Sequence, residues 1–236
     1  MDIKNKVVIV TGASAGIGRA TAKLLSSKGA SIALVARSKE KLDELSRELS
    51  GSFVFPADMS DRDSIKKMVR LVHDHYGRID VLINNAGQGI YGTIERTGID
   101  DYKHIFDLNV LGSLLTMQMV IPIMRAQGGG SIVNVSSMVS KSFIPYLGAY
   151  ASTKYALNAI SLTARKELEK DRIIVSIMLP GMTATDFGKN AIKSDESGQQ
   201  MAPRSREHLL KPDSPEFIAE RILYTIESGE AEVLAH

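Results

Sequence analysis

The sequence predicts an α/β fold, a single domain built on a doubly wound parallel sheet of about seven strands with helices on both faces. Three observations carry this. Short apolar runs rich in β-branched residues alternate with longer amphipathic segments along the whole chain. The middle runs are apolar at consecutive positions, as strands covered on both faces are. The first run leads directly into a glycine-rich turn and a helical pattern, TGASAGIG, the strand–turn–helix opening of a βαβ unit.

In chain order, KVVIVT is the first strand and SIALVA the second. Ser38 is placed to cap a helix whose Leu42, Leu45 and Leu49 share a face, with Gly51 just beyond its end. SFVFPA is the third strand. Ser60, with Asp63 three residues on, is placed to open the next helix, which carries Ile65, Val69, Val72 and Tyr76 on one stripe and stops at Gly77. DVLINN is the fourth strand, and Gly128-Gly129-Gly130 end a long helix before the fifth, SIVNVS. IIVSIM and EVLA are the last two strands, with a helix between them that starts at Ser214-Pro215 and ends at Gly229. The least patterned region is about 186–213, polar and flanked by Pro and Gly. With no repeat and no linker, residues 1–236 read as one domain, and the 186–213 loop as a lid over a substrate.

Composition narrows the function. A chain of 236 residues can bury a substantial core, and a net charge of +2 is too small to imply nucleic acid or an anionic membrane as partner. Without cysteine there are no disulfides, thiolate metal sites or thiol nucleophile, which suits a reducing cytosol. MDIKNKVVIVTG reads as a first strand and not as a signal peptide, and SLLTMQMVIPIM as too short and too polar to span a bilayer. The expectation is a soluble, cytoplasmic protein. His73 and His75 diverge on their helix and predict no metal site, while His104 and His208 read as surface residues. SKEKLDELSRE is a solvated helix face.

Chemistry concentrates in two places. The glycines of Gly12-Ala13-Ser14-Ala15-Gly16-Ile17-Gly18 permit a tight turn that lets a pyrophosphate approach the backbone, and the helix N-terminus behind them offers free N–H groups and the positive end of its dipole. In YASTK, Tyr150 and Lys154 lie one turn apart on one helix face. A free phenol titrates near pH ~10, and an adjacent ammonium would favour its ionised form, towards the pH where proton transfer works best. Taken alone, a Tyr–Lys pair at this spacing reads as an ordinary surface contact, and the rest of the chain must decide.

The turn is spaced TGxxxGxG, and further short motifs follow in order: Asp58 in PADMS, Asn84-Asn85-Ala86-Gly87 after the fourth strand, Asn109 in LNVLG, Ser137 in NVSS, the Tyr150/Lys154 pair, then Pro180-Gly181 with Thr185. In this set and this order the chain resembles the short-chain dehydrogenase/reductase family over essentially its whole length, specifically its NADP(H)-preferring carbonyl reductases. The resemblance implies a Rossmann-type fold and reversible hydride transfer between a nicotinamide and a carbonyl or secondary alcohol. It implies Tyr150 as acid/base and Lys154 beside it, also hydrogen-bonded to the nicotinamide ribose. The Ser137 hydroxyl would stabilise developing alkoxide, and Asn109 would hold a water that links the lysine to solvent. Ser137 stands thirteen residues before Tyr150, the family's usual distance. Ser136 is the alternative, and since adjacent strand residues face opposite ways only one of the two can face the site.

By the same resemblance the cofactor is held by Gly12, Ser14, Gly16, Ile17, Gly18, Arg37, Asp58, Met59, Asn85, Tyr150, Lys154, Thr183 and Thr185. NADP(H) is expected over NAD(H): SIALVA ends in neutral Ala36, where NAD enzymes usually carry a carboxylate, and Arg37 follows, able to hold a 2′-phosphate. A solvated arginine at a helix start is the competing explanation. Ala15 favours it, since many NADPH-preferring relatives carry a basic residue in the turn. The substrate is a small carbonyl or alcohol, a 3-oxoacyl thioester being one alternative within the family. A catalytically silent dinucleotide-binding sensor or a scaffold subunit is the alternative outside it. Met117, Met119 and Met124 suit packing or a subunit interface, and because the family often pairs its two long central helices, a homodimer or homotetramer is expected.

Overall fold

The computed structural model describes residues 1–194 and 211–236, so part of the predicted lid, residues 195–210, lies outside the described residues. The elements are β1 (Val7–Thr11), α1 (Gly16–Ser27), β2 (Ser31–Ala36), α2 (Lys39–Glu48), β3 (Phe53–Pro56), α3 (Arg62–Tyr76), β4 (Val81–Asn84), β5 (Ile90–Tyr91), α4 (Ile99–Phe106), α5 (Gly112–Ala126), β6 (Gly130–Val135), α6 (Gly148–Glu167), β7 (Ile173–Leu179), β8 (Ile192–Lys193), α7 (Pro215–Ser228) and β9 (Glu232–Leu234).

Seven strands form one parallel sheet in the order β3-β2-β1-β4-β6-β7-β9. The chain winds outwards from β1 to β3 and then returns to β4 on the other side of β1. Loops leaving the C-terminal ends of β1 and β4 therefore diverge and leave a crevice, where α/β sheets bind ligands. Alternation along each strand builds the two faces. Val8 and Val10 enter one core with Leu25, Leu42, Leu45 and Ile222, from α1, α2 and α7. Val7 and Ile9 enter the other with Ile65, Val69, Met117 and Val120, from α3 and α5. Each fully buried branched side chain contributes roughly 1.5–3 kcal/mol.

All seven expected strands are present. The helix ends follow the expected logic with two corrections. Ser38 occupies the N-cap position of α2, but its hydroxyl bonds Glu40 and caps no backbone N–H. The cap of α3 is Asp61 and not Ser60, because the Asp61 carboxylate accepts from Ser64 N while Ser60 is turned to Asp58. Gly77 and Gly229 end their helices in the left-handed region, and Ser214 accepts from Phe217 N ahead of Pro215. A two-stranded sheet, β5 with β8, was not foreseen: its runs are two residues long and too short to carry a period.

SLLTMQMVIPIM belongs to a longer helical run than the sequence stretch suggested. Ile99–Ala126 is long and apolar enough to cross a membrane by length and composition, with a window averaging 1.4 in hydropathy and 44% buried. In the fold it is split by a π-helical turn, Asp107–Leu111, and α5 packs on α3 and the sheet.

Candidate active site

β1 ends at Thr11, and the chain turns so tightly that Gly12 and Gly16 adopt φ of +69° and +51°. A Cβ on Gly18 would overlap the Gly12 carbonyl oxygen, and one on Gly12 would lie 2.8 Å from Asn85 Nδ2. Backbone approach this close is open only to glycine. No side chain caps α1 at Ala15, so its first N–H groups remain available to an acceptor. Beside them opens a cleft of about 420 Å³, between Ala15-Gly16 and Ala184-Thr185, with Lys189 at its edge. A bare cradle of N–H groups at the sheet's switch point fits a dinucleotide's diphosphate.

Beneath the cradle Thr11 and Asn85 join the two diverging strands. The Thr11 hydroxyl donates to Ile83 O and accepts from Asn85 N and Ala86 N, while Asn85 Nδ2 donates to Thr11 O at 2.9 Å. The side chain of Asn85 is thereby occupied in holding the turn. Arg37 stands exposed at the end of β2, with Ala36 buried before it. Burial pushes the Asp58 carboxyl up, but hydrogen bonds from Ser60 and the charges of Arg37 and His104 bring it below its usual value. The Met59 side chain lies in the core, and its backbone carbonyl packs against Gly112. Thr183 donates to Gly181 O and bridges to Asp213, and Thr185 lies over Gly16.

The second group gathers beyond β4 and β6. Asn109 sits in the π-helical turn, 1% exposed, with Oδ1 accepting from Gln88 N at 2.9 Å. Its Nδ2 donates to Gln88 O and to Thr153 Oγ1. Ser137 follows β6; its hydroxyl accepts from Val139 N and lies beside the Tyr150 phenol. Ser136 Oγ is buried without a partner, so of the two serines it is Ser137 that meets the tyrosine. Lys154 Nζ lies 5.9 Å from the Tyr150 ring centre and donates to Val135 O at 2.9 Å.

The electrostatics differ from the expectation in one respect. Burial pushes the Tyr150 phenol well above its ordinary value; the Ser137 hydrogen bond lowers it, and neighbouring Tyr91 raises it further. The Lys154 ammonium does not set the direction: burial, Ser137 and Tyr91 do, and the same burial draws the lysine itself down to about 8.

Three residues of the site escaped the sequence. Gln88 reads as a loop residue until its backbone is seen gripping Asn109; its side chain donates to Asn190 O. Tyr91 is half-buried on β5, and Phe187 packs its ring 5.6 Å from that of Tyr150. The β5–β8 pairing and the Gln88–Asn190 bond bring these two loops together, and neither loop carries a period. Among the described residues no cluster of His, Asp or Glu could hold a metal ion.

Comparison with known proteins agrees with this geometry. The pattern of the family described as short chain dehydrogenase matches residues 6–196. An uncharacterized oxidoreductase of Staphylococcus epidermidis is 36% identical over 194 residues, covering 79% of this chain and 84% of its own. A short-chain dehydrogenase from Streptomyces avermitilis superposes with a TM-score of 0.88 at 32% identity, over 98% of this chain and 88% of its own. An alcohol dehydrogenase from Thermococcus sibiricus, solved with 5-hydroxy-NADP, gives 0.84 at 28% identity, over 98% and 96%. The chain belongs to the short-chain dehydrogenase/reductase family and is an oxidoreductase that acts on CH–OH or C=O groups with a nicotinamide dinucleotide.

Proposed function

We propose that the protein is an NADP(H)-dependent carbonyl reductase or secondary-alcohol dehydrogenase in which Tyr150 is the acid/base. The observation that carries this reading is the buried Tyr150 phenol beside the Ser137 hydroxyl, with Lys154 one turn further along α6 and its Nζ 5.9 Å from the phenol ring centre. The dinucleotide, when bound, supplies or accepts the hydride at its nicotinamide C4. In reduction, Tyr150 gives its phenolic proton to the carbonyl oxygen. The elevated phenol is fully protonated at neutral pH, as an acid must be. Ser137 then steadies negative charge on either oxygen, substrate or phenolate, as an oxyanion donor does. Lys154, drawn down to about 8, exchanges a proton near neutral pH more readily than an ordinary lysine and would hydrogen-bond the nicotinamide ribose of a bound dinucleotide. Asn109 holds the Gln88 backbone across from it and orders the path to solvent.

Gly12, Ser14, Gly16, Ile17 and Gly18 would hold the diphosphate, Thr183 and Thr185 would reach the carboxamide and phosphates, and Asp58, Met59 and Asn85 would line the adenosine and ribose side. Phe187 and Tyr91 flank the phenol, which favours a small ketone or alcohol with an apolar group beside the reacting carbon. Tyr150→Phe keeps the ring and removes the proton. Turnover with a panel of ketones and 3-oxoacyl thioesters is expected to fall about 10²–10⁴-fold, with dinucleotide binding by fluorescence titration unchanged. Near-parent turnover in this variant would remove the assignment.

The cofactor preference rests on Arg37, exposed behind the neutral Ala36 and free to turn to a 2′-phosphate. The bound 5-hydroxy-NADP of the Thermococcus relative supports it. Steady-state kinetics should give a higher kcat/KM with NADPH than with NADH, and Ala36→Asp with Arg37→Ala should reverse the order. A parent that prefers NADH contradicts the reading.

A further inference from the structure

We propose that Asn158 is a positioning residue for Ser137: acting through Ser140, it fixes the backbone that carries the catalytic hydroxyl. The proposal rests on the assignment of Ser137 and Tyr150 to the reaction.

Tyr150, Lys154 and Asn158 succeed one another at turns of α6, on its buried face. Asn158 Nδ2 donates to Ser140 Oγ at 2.8 Å. Ser140, 2% exposed, donates through Oγ to Ser137 O at 2.6 Å and through its backbone N to the same oxygen at 3.0 Å. A hydroxyl has one proton, and this one is committed to Ser137 O. The group facing Ser140 must therefore be the amide NH₂ of Asn158, which fixes the orientation of that side chain.

The Ser137 hydroxyl needs this support. Its own backbone partner, Val139 N, stands at 3.3 Å, a long bond that orients it weakly. Lys154 holds Val135 O on one side of the Ser136-Ser137 pair, and Asn158 holds Ser137 O, through Ser140, on the other. The helix that presents the phenol thus also grips both flanks of the serine, and Ser137 and Tyr150 keep register as one body.

Packing alone does not explain an asparagine here. The side chain is only 9% exposed, and its Oδ1 is buried without a partner. Such an orphan is a stability cost that an apolar residue of similar size would not carry. Stability would favour leucine, whereas a donor aimed at Ser140 requires the amide.

The test uses the full chain with NADPH and a ketone substrate, and compares Asn158→Leu, Ser140→Ala, the double variant and Ser140→Thr. Asn158→Leu is expected to lower kcat about 10- to 100-fold, the scale set by a small misplacement of a reacting group. Its dinucleotide KM should stay within about twofold and its Tm should hold or rise. Ser140→Ala should match it, the double variant should be no worse than either single because both cut one relay, and Ser140→Thr, which restores the hydroxyl, should recover most of kcat. A kcat within about twofold of the parent in Asn158→Leu, or losses that simply add, overturns the proposal. Should Asn158→Leu fail to fold, Ser140→Ala, which removes a single oxygen, decides by the same criteria. Tyr150→Phe is assayed beside them. If it keeps turnover, the underlying assignment fails. If it is inactive while Asn158→Leu and Ser140→Ala are unaffected, only the relay fails.

Discussion

Burial removes Lys154 from water almost entirely, at 4% exposed, and draws its ammonium down to about 8. The native state therefore holds this proton less tightly than the unfolded chain, where a lysine titrates near pH ~10.4. Below about 8 both states are protonated and the desolvation penalty is complete. Between about 8 and ~10.4 the unfolded chain binds more protons, so the penalty is relieved and native stability rises with pH. Lys154→Met has no such group. Urea denaturation across this range should show the parent gaining on Lys154→Met by up to about 3 kcal/mol, the free energy of a shift of this size. A difference independent of pH would show that the lysine is not perturbed. The pairing of Tyr150 with Lys154 was legible because i, i+4 on a helix is a local fact. The direction of the Tyr150 shift was not, because it comes from burial and from Tyr91 on a separate strand. Ser137 was chosen over Ser136 on spacing alone, whereas Asn158 needed coordinates, since nothing in the sequence shows that its amide meets Ser140.

At the scale of elements, the site depends on a helix that is not regular. Residues Asp107–Leu111 form a π-turn between α4 and α5 that carries Asn109, and such extra-residue turns recur at functional sites. Gly112, next in the chain, lies so close to the Met59 carbonyl that a Cβ there would overlap the oxygen. The contact sets α5 against the segment after β3, and the oxygen is backbone, so it cannot swing away as a side chain would. Gly112→Ala is expected to destabilise the protein by about 1–3 kcal/mol, the usual cost of overpacking, and to weaken dinucleotide binding through Met59 and Asp58. A thermal melt and a binding titration check both, and an unchanged Tm would mean that the two segments part freely. Strands and long helices were legible because each carries its own period and its own stop, such as Gly77 after α3. Caps were less so: Asp61 and Ser60 are neighbours of equal capping ability, and only the bond from Ser60 to Asp58 decides between them. The β5–β8 pair, which brings Tyr91 and Phe187 to the phenol, has no local signal.

Across the whole molecule, helices cover both faces of the sheet and yet leave apolar surface of their own outside. Met117 and Met124 are buried in the core, which settles them as packing residues, whereas Met119 is only partly buried. On α5, Leu114 and Ile121 are half-exposed and Pro122 is exposed; on α6, Ala159 and Tyr155 are exposed. The hydropathy of the Ile99–Ala126 run would suit a bilayer or a second copy of the chain. The packing of α5 on α3 and the sheet, and the polar π-turn in mid-run, favour the copy. We therefore propose that the protein is a homodimer or homotetramer joined through these central helices. A twofold interface places each residue opposite the same patch of its partner, so one substitution is felt twice. Ile121→Glu would bury two unpaired carboxylates in such a contact without touching the site. Light scattering on detergent-free samples should give a dimer or tetramer for the parent and a shift towards monomer for Ile121→Glu, with the Tyr150 site still binding dinucleotide. A parent that stays monomeric at high micromolar concentration, or an Ile121→Glu assembly as large as the parent's, would place the interface elsewhere or remove it.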